Sequence, residues 1–556
     1  MTEHCDAVVI GAGHNGLVAA NLLADAGWDV VVVEGADEPG GAVRSASVTA
    51  PGYTTDLFSS FFPMTAASPV MRALALEDHG LRWSHAPTVL AHVRRDAPAA
   101  LLHRDGERTA AGVEAEHAGD GAAWQELTAA WDRCGPAMME ALMAPFPPVR
   151  AGLRLAAAGR SELWELARRL VLPVRTMGEE LFGGEGARLL LAGNALHADV
   201  TPESAPSGLL GWMLVGLGQT VGFPVPVGGA GRITDALVDR LVAAGGRLVT
   251  GDPASSIIVR DGRAVGVVTR SGQIDARHAV LAACDAQLLY GSLLRPSDLP
   301  DAFLARLREF QRASSTVKVN YALDRPVPWN DDRARGAGTV HVADSMAELS
   351  TSSAQLANRT IPADPFLLVG QTTTADPERS PAGTESLWMY THVPQDIRDD
   401  GGGTIAATGR LRDDALLRFV DRMEDRIEVH APGFRTAIVA RHIQGPDDLE
   451  RANPSLVGGD ISGGTTQLHQ QLVFRPVPGL ARAETPIAHL YLASSSAHPG
   501  GSVHGACGAN AARAALFGRR VDAGRRVAVA SAAVAATTLL ARARRQRRRG
   551  PKGAAR

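Results

Sequence analysis

Residues 6–16 read Asp-Ala-Val-Val-Ile-Gly-Ala-Gly-His-Asn-Gly. The apolar run within them predicts a buried strand, and three glycines follow it with the spacing G-x-G-x-x-G, namely Gly11, Gly13 and Gly16. A small-residue helix comes next, and then a second apolar run, 30–33, which ends in Glu34. A strand, a glycine turn, a helix and a second strand with an acidic end together predict a dinucleotide-binding Rossmann unit.

The residue types in this turn suit the chemistry of a pyrophosphate. Gly11 permits the tight turn, Gly13 lets the pyrophosphate approach the backbone, and Gly16 lets the helix pack close to the strand. The phosphates then meet free N–H groups at the positive end of the helix dipole. We therefore expect cofactor contacts from Gly11, Ala12, Gly13, Asn15 and Gly16. Glu34 is expected to accept hydrogen bonds from the adenosine ribose, which disfavours NADP.

Composition limits the other classes of function. With 556 residues, 45% of them hydrophobic and 21% charged, the chain is long enough for more than one core. Its four cysteines are widely spaced and form no C-x-x-C, so neither a disulfide framework nor a redox dithiol is predicted. No spacing typical of a metal site, a nucleophilic triad or a P-loop is present. Without a signal peptide or an apolar run of about 20 residues, the chain is expected to be cytoplasmic.

The C-terminal segment 519–556 is strongly basic, with twelve Lys or Arg residues and one acid, Asp522. Its pattern fits either a short helix lying on an anionic membrane or a solvated, alanine-rich end. Nucleic-acid binding is disfavoured because no aromatic side chains are interleaved with the arginines. A peripheral contact with the inner face of the membrane therefore stays open as a hypothesis.

Three further segments extend the dinucleotide-binding signature. Gly40, Gly41 and Arg44 follow the ribose carboxylate and suit a loop that folds back over a long cofactor. Residues 228–285 predict a glycine turn, a helix, a three-stranded meander and a separate return strand from 279 to 283. Residues 490–517 predict a strand, a glycine loop and a helix whose N-terminus makes a second anion site.

With these segments the chain resembles the FAD-dependent phytoene desaturase and amine oxidase superfamily, and within it the phytoene dehydrogenase-like oxidoreductases. The resemblance rests on short matches along most of the chain: residues 11–17, residues 40–44, Asp56 with Ser59 and Pro63, residues 226–229, and His498-Pro499-Gly500-Gly501. It implies one bound FAD and an α/β fold, in which a Rossmann-type, glutathione reductase-like FAD-binding domain is interleaved with an α+β substrate domain. It also implies further cofactor contacts from Ser255, Ser494, Gly500, Gly501 and Val503.

The expected FAD-binding domain comprises residues 1–90, 221–290 and 485–518. The expected substrate domain comprises residues 91–220 and 291–484, and the basic tail follows from 519. Within the substrate domain the patterns predict helices at 124–142, 161–172 and 410–430, and strands at 315–323, 365–373 and 385–392.

The leading functional hypothesis is a dehydrogenase or desaturase that moves a hydride from a C–H bond of a small, apolar, isoprenoid- or polyene-like substrate to the flavin. Oxygen or a quinone would then reoxidise the flavin. His498 is the candidate catalytic residue, with a purely structural role in its turn as the alternative. An amine oxidase and a flavin-binding interaction protein without turnover are the rival hypotheses. A second G-x-G-x-x-G unit for NADPH is not visible.

Overall fold

The computed structural model describes residues 3–159, 163–406, 408–480 and 482–521. Most of the basic tail, and the start of the helix predicted at 161–172, therefore lie outside the described residues. No helix in the described ranges combines the length and apolar character needed to cross a bilayer.

Two large sheets organise the chain. In chain order their strands are β1 (Glu3–Ile10), β2 (Val30–Val33), β3 (Thr88–Val93), β4 (Ala100–Leu102), β5 (Arg247–Val249), β6 (Ala254–Arg260), β7 (Arg263–Thr269), β8 (Gln273–Ala282), β9 (Ser315–Leu323), β10 (Ala337–Val342), β11 (Leu367–Gln371), β12 (Glu385–Val393), β13 (Ile438–Gln444) and β14 (Leu490–Leu492). Two-residue strands form small ladders at Ser45–Ala46 with Thr55–Asp56, Trp83–Ser84 with Val225–Pro226, and Thr360–Ile361 with Asp399–Asp400.

The longer helices are α1 (His14–Asp25), α2 (Gly106–Glu116), α3 (Asp120–Met143), α4 (Val149–Ala158), α5 (Leu163–Arg169), α6 (Val174–Leu181), α7 (Glu185–Ala195), α8 (Ser207–Thr220), α9 (Gly231–Ala243), α10 (Met346–Ala357), α11 (Asp413–His430) and α12 (506–521). Shorter helices lie at Pro63–Ala67, Pro69–Ala73, Ala286–Leu288, Asp301–Leu307, Thr372–Ala375, Phe434–Ala437 and Pro446–Ala452.

The first sheet has the order β6-β7-β8-β1-β2-β5, and β14 pairs with β8. β1 is parallel to both of its neighbours, so the turn that follows it lies where parallel strands end, the usual ligand edge of such sheets. The meander and the return strand, predicted as separate, are one strand. β8 pairs antiparallel with β7 near its start and parallel with β1 along its length, and an irregularity between Cys5 and Ala7 absorbs the change in register.

The second sheet has the order β13-β9-β12-β11-β10-β3-β4. One face packs on α11, through residues such as Val319, Met389 and Phe419. The other face lies beneath the layer that contains α3, α7 and α8. The strand predicted at 315–323 is confirmed, and the one at 365–373 is shorter because Thr372–Ala375 forms a helical turn. β3 belongs to this sheet although it begins before the expected domain boundary at residue 90.

Candidate functional site

The glycine turn after β1 has the geometry that its sequence predicts. Gly11 has a φ of +95°, and a Cβ added to Gly16 would lie 2.0 Å from the Gly11 carbonyl oxygen, so both positions need glycine. A Cβ added to Gly13 would meet only the Gly41 Cα, at 3.9 Å. Gly13 thus faces open space at the N-terminus of α1, which is where a pyrophosphate would approach the backbone.

Glu34 closes this turn from the end of β2. Its Oε2 accepts a hydrogen bond from the Ala12 amide at 2.7 Å, and its Oε1 accepts one from the Ala36 amide at 2.9 Å. The segment after β5 packs alongside, because the Glu34 amide donates to the Val249 carbonyl and the Asp252 amide donates to the Glu34 carbonyl. The carboxylate is held at the edge of the crevice, as a ribose-binding residue requires.

The Gly40–Gly41 loop folds back over the turn as expected. The Gly40 amide donates to the Ala12 carbonyl at 2.8 Å, and Gly40 forms a parallel bridge with Gly13. Arg44 donates to the carbonyls of Gly41 and Ala452 and lies over the ring of Phe58. Among the described residues its guanidinium forms no carboxylate ion pair, so its charge is available to a phosphate.

The C-terminal loop joins the same crevice. α12 approaches α1 so closely that a Cβ on Gly508 would lie 1.9 Å from the Asn15 carbonyl oxygen, and the Gly508 amide donates to Asn15 Oδ1. A Cβ on Gly501 would meet Ser462, while Gly500 lies beside Arg475. Ser494 is buried just after β14, and the Val503 carbonyl accepts a hydrogen bond from Thr65. The helix begins at residue 506, four residues earlier than predicted.

The structure does not bring Ser255 to this group. It lies exposed in β6, and its hydroxyl donates to the Val268 carbonyl of the neighbouring strand at 3.1 Å. The other predicted cofactor residues converge from three distant parts of the chain. An open approach at Gly13, a helix N-terminus, an arginine without a carboxylate partner and a positioned carboxylate fit the pyrophosphate and ribose of FAD.

A buried charge cluster joins the two domains beside the crevice. Arg379 is fully buried and contacts the carboxylates of Asp56 and Asp376, each at 3.0 Å. Asp56 accepts from Ser45 and from the Ala230 amide, and Asp376 accepts from the Gly228 amide. The cluster therefore positions the glycine turn before α9 against the substrate domain. Sequence reasoning noted Asp56 only through the family resemblance and missed both partners.

A cavity of about 610 Å³ extends from this crevice into the substrate domain. Its wall includes residues of the cofactor loops, such as Ala42, Pro499 and Val503, and apolar side chains from the helical layer and the second sheet, such as Leu210, Met213 and Trp388. Among the described residues that line it there is no carboxylate. A mostly apolar cavity with few polar groups, next to a cofactor crevice, is typical of a substrate site.

Lys318 is the charged group of this cavity wall, and sequence reasoning missed it. It lies in β9, where every residue is buried, and its ammonium donates to the Asp56 carbonyl and to Asn320 Oδ1. Burial lowers the pKa of Lys318 to about 7, and the nearby Asp56 opposes this shift. A lysine within an otherwise apolar strand was the available signal, because buried lysines are rare unless they have a role.

The two histidines of the C-terminal loop are largely structural. His498 Nε2 donates to the Ala144 carbonyl at 3.1 Å, and burial lowers the pKa of His498 to about 4. His504 Nδ1 accepts from the Ala506 amide at the start of α12, and burial lowers its pKa to about 3. Both rings are neutral near pH 7. The N–H of His498 is already bonded, so only its unpartnered Nδ1 remains for a ligand in the cavity.

Comparison with known proteins agrees with this geometry. Residues 16–391 match the family described as flavin containing amine oxidoreductase. The chain is 28% identical to pyridine nucleotide-disulfide oxidoreductase domain-containing protein 2 of Rattus norvegicus, over 91% of this chain and 92% of that protein. It is 26% identical to the zeta-carotene-forming phytoene desaturase of Myxococcus xanthus (89% and 90% covered) and 23% identical to one chain of the limonene dehydrogenase of Castellaniella defragrans (92% and 94% covered).

Solved structures with the same architecture include a putrescine oxidase, with a TM-score of 0.57, 16% identity and coverage of 94% of this chain and 100% of that one. An oxidoreductase from Methanosarcina mazei superposes with a TM-score of 0.56, at 16% identity and with 92% and 99% covered. At this identity the likeness concerns the fold, and it confirms the predicted Rossmann-type FAD-binding architecture.

Proposed function

Because this chain belongs to the family of flavin-containing amine oxidoreductases and is an FAD-dependent oxidoreductase, we propose that its substrate is an apolar molecule rather than an amine, and that the reaction is a dehydrogenation or desaturation. The observation that carries the proposal is the charge of the cavity. Lys318 lines it and no carboxylate of the described residues does, so an alkylammonium ion would be buried without a counter-ion. Two relatives are named for limonene and for phytoene, which are both hydrocarbons.

The chain's own residues would position the substrate and manage one proton. FAD, when bound, supplies the hydride acceptor. The apolar wall formed by residues such as Leu210 and Met213 excludes water and orients a C–H bond. Loss of a hydride and a neighbouring proton makes a double bond, and Lys318 is placed to take up that proton, since a lysine with a lowered pKa is neutral in part near pH 7. Oxygen or a quinone is the proposed terminal acceptor.

Amine oxidation is the second candidate, and aromatic side chains in the cavity are the observation that favours it. Trp388 and Tyr390 both line the wall, but their rings stack on each other with centroids 5.5 Å apart. The pair therefore leaves no slot between its rings for a substrate, which favours the apolar proposal.

Anaerobic mixing of the FAD-loaded protein with candidate substrates tests the proposal. We expect limonene or phytoene to bleach the flavin absorption, and a primary amine such as putrescine to leave it unchanged. Lys318→Met should slow the bleaching at least tenfold. Bleaching by the amine alone would overturn the proposal. A flavin that can be photoreduced but exchanges electrons with no substrate or acceptor would instead indicate a binding protein without turnover.

Contact of the basic segment 519–556 with anionic lipid is also part of the proposal, and its support is the charge pattern of the sequence. Sedimentation of the full chain with phosphatidylglycerol vesicles should fall when the tail arginines are changed to glutamine. Equal sedimentation of both proteins would contradict this contact.

A further inference from the structure

The floor of the cavity runs across four strands of the second sheet. Lys318 in β9 lies opposite Tyr390, Tyr390 opposite Leu368, and Leu368 opposite His341 in β10. These residues form one cross-strand row, so Lys318 and His341 are separated by three strand spacings, or about 14 Å. The end of the cavity near His341 is therefore well separated from the end near Lys318 and the cofactor loops.

Two unpartnered polar atoms lie toward that far end. Asn194 is fully buried, and its Nδ2 donates to the Leu190 carbonyl, which can only accept and so fixes the orientation of the amide. Its Oδ1 then has no hydrogen-bond partner among the described residues. The indole Nε1 of Trp388, a residue 7% exposed, is also unpartnered there. Native proteins rarely leave buried polar atoms unsatisfied, so both point to a ligand.

The local packing brings these two atoms toward His341. A Cβ added to Gly370, the residue of β11 opposite Trp388, would lie 2.4 Å from the indole Nε1, so the indole leans over β11 toward β10. Asn194 follows Gly193, where an added Cβ would lie 2.4 Å from His341 Nδ1. Both residues line the same cavity.

A pair of buried histidines adds a donor. His197 lines the cavity, and its Nε2 lies 2.8 Å from His341 Nε2. His341 Nδ1 is buried without a partner, and an unpartnered lone pair costs less than an unpartnered N–H. His341 therefore carries its proton on Nε2 and donates to His197, which leaves the proton of His197 on Nδ1. Burial lowers the pKa of both rings, so both are neutral.

We infer that this end of the cavity binds a hydroxyl group, and that the substrate is an elongated apolar alcohol. A hydroxyl donates one hydrogen bond and accepts two, which matches the Oδ1 acceptor of Asn194 and the N–H donors of Trp388 and His197. A carbonyl would leave Asn194 unsatisfied, and an ammonium group would leave both donors unsatisfied. This inference rests on the proposed function and specifies its substrate class: the oxygen lies several bonds from the reacting carbon.

Binding of three matched probes to the FAD-loaded protein tests the inference. Farnesol offers a donor and an acceptor, farnesyl methyl ether offers an acceptor only, and farnesene offers neither. Dissociation constants measured anaerobically, by perturbation of the flavin spectrum and by calorimetry, should rank farnesol tightest. We expect about fivefold to tenfold between successive probes, as for one neutral hydrogen bond at each step. Equal affinity for the three probes would overturn the inference.

Two variants assign the hydrogen bonds. Asn194→Leu should remove the preference for the alcohol over the ether, whereas Trp388→Phe should weaken alcohol and ether alike and leave farnesene unchanged. Leu210→Ala is the matched control, because it should weaken all three probes equally. Retained flavin absorption and an unchanged melting temperature verify folding, and either variant suffices if the other fails to fold. A wild-type preference that survives in the folded variant overturns the inference.

The outcomes separate this inference from the proposed function. Selective binding of farnesol, with no reduction of the flavin by any apolar probe, would support the hydroxyl site and contradict the proposed reaction. Reduction by hydrocarbons, with no preference for the alcohol, would do the opposite.

Discussion

Two nitrogens of the Arg475 guanidinium donate to the carbonyl oxygen of Ser495, at 2.9 and 2.7 Å. The same side chain, which is fully buried, also donates to the carbonyls of Ser462, Gly463 and Thr465. Arg475 thus fastens a substrate-domain loop to the C-terminal cofactor loop. Its planar, forked donors reach several carbonyls at once, which a lysine ammonium cannot do.

Arg475→Lys should consequently loosen both loops. We expect the free energy of unfolding to fall by about 3 kcal/mol, because two or three buried carbonyls lose their donors. FAD affinity should fall as well, which equilibrium dialysis measures. Arg482→Lys is the control, since Arg482 is exposed and donates to a single carbonyl, that of Phe146. Unchanged stability and FAD affinity in Arg475→Lys would contradict the role assigned here.

Substitution of two neighbouring glycines should separate cofactor binding from folding. In Gly13→Val the side chain occupies the pyrophosphate approach but meets little protein, so FAD occupancy should be lost while the apoprotein stays folded. In Gly16→Ala the Cβ would lie 2.0 Å from a backbone oxygen, so stability should fall by about 3 kcal/mol or more. Flavin absorbance and thermal unfolding measure the two effects. Normal occupancy in Gly13→Val would count against the cofactor site.

Lys318 should make stability depend on pH. Its pKa is lowered from 10.5 to about 7, so between these values the unfolded chain binds more protons and the folded state gains stability as pH rises. The gain is at most about 1.4 kcal/mol per pH unit.

The difference in unfolding free energy between wild type and Lys318→Met isolates this effect. Lys318→Met should be more stable than wild type at pH 7, and its advantage should shrink toward pH 10. Glu385, whose pKa burial raises to about 7, acts in the lower pH window and in both proteins alike. A constant difference from pH 7 to 10 would mean that Lys318 keeps an ordinary pKa.

Arg379→Met should be the most destabilising of these changes. It leaves the buried carboxylates of Asp56 and Asp376 without their cation, which costs about 3–5 kcal/mol. Chemical denaturation measures the loss. Arg325→Met removes an exposed ion pair with Asp324 and should cost less than about 1 kcal/mol. Similar values for the two variants would show that the buried cluster contributes no more than a surface pair.

Local patterns predicted the parts of the site whose chemistry depends on neighbours in sequence. The turn from Gly11 to Gly16 and the position of Glu34 follow from one strand–helix–strand unit, so their geometry is written in adjacent residues. The separate return strand was wrong, since residues 277 and 278 resemble a break although β1 and β7 hold them in one continuous strand.

By itself the sequence determined the Rossmann unit, the convergence of three glycine-rich segments on FAD and the alternation of the two domains, because glycine spacing and apolar periodicity act over a few residues. Only the tertiary structure decided that Lys318 lines the cavity, that Arg379 lies between two carboxylates, and that Asn194 and Trp388 end on one apolar space. These groups come from strands and helices far apart in the chain. Their burial, and therefore their charge and unsatisfied hydrogen bonds, exists only once the sheets and helices have packed.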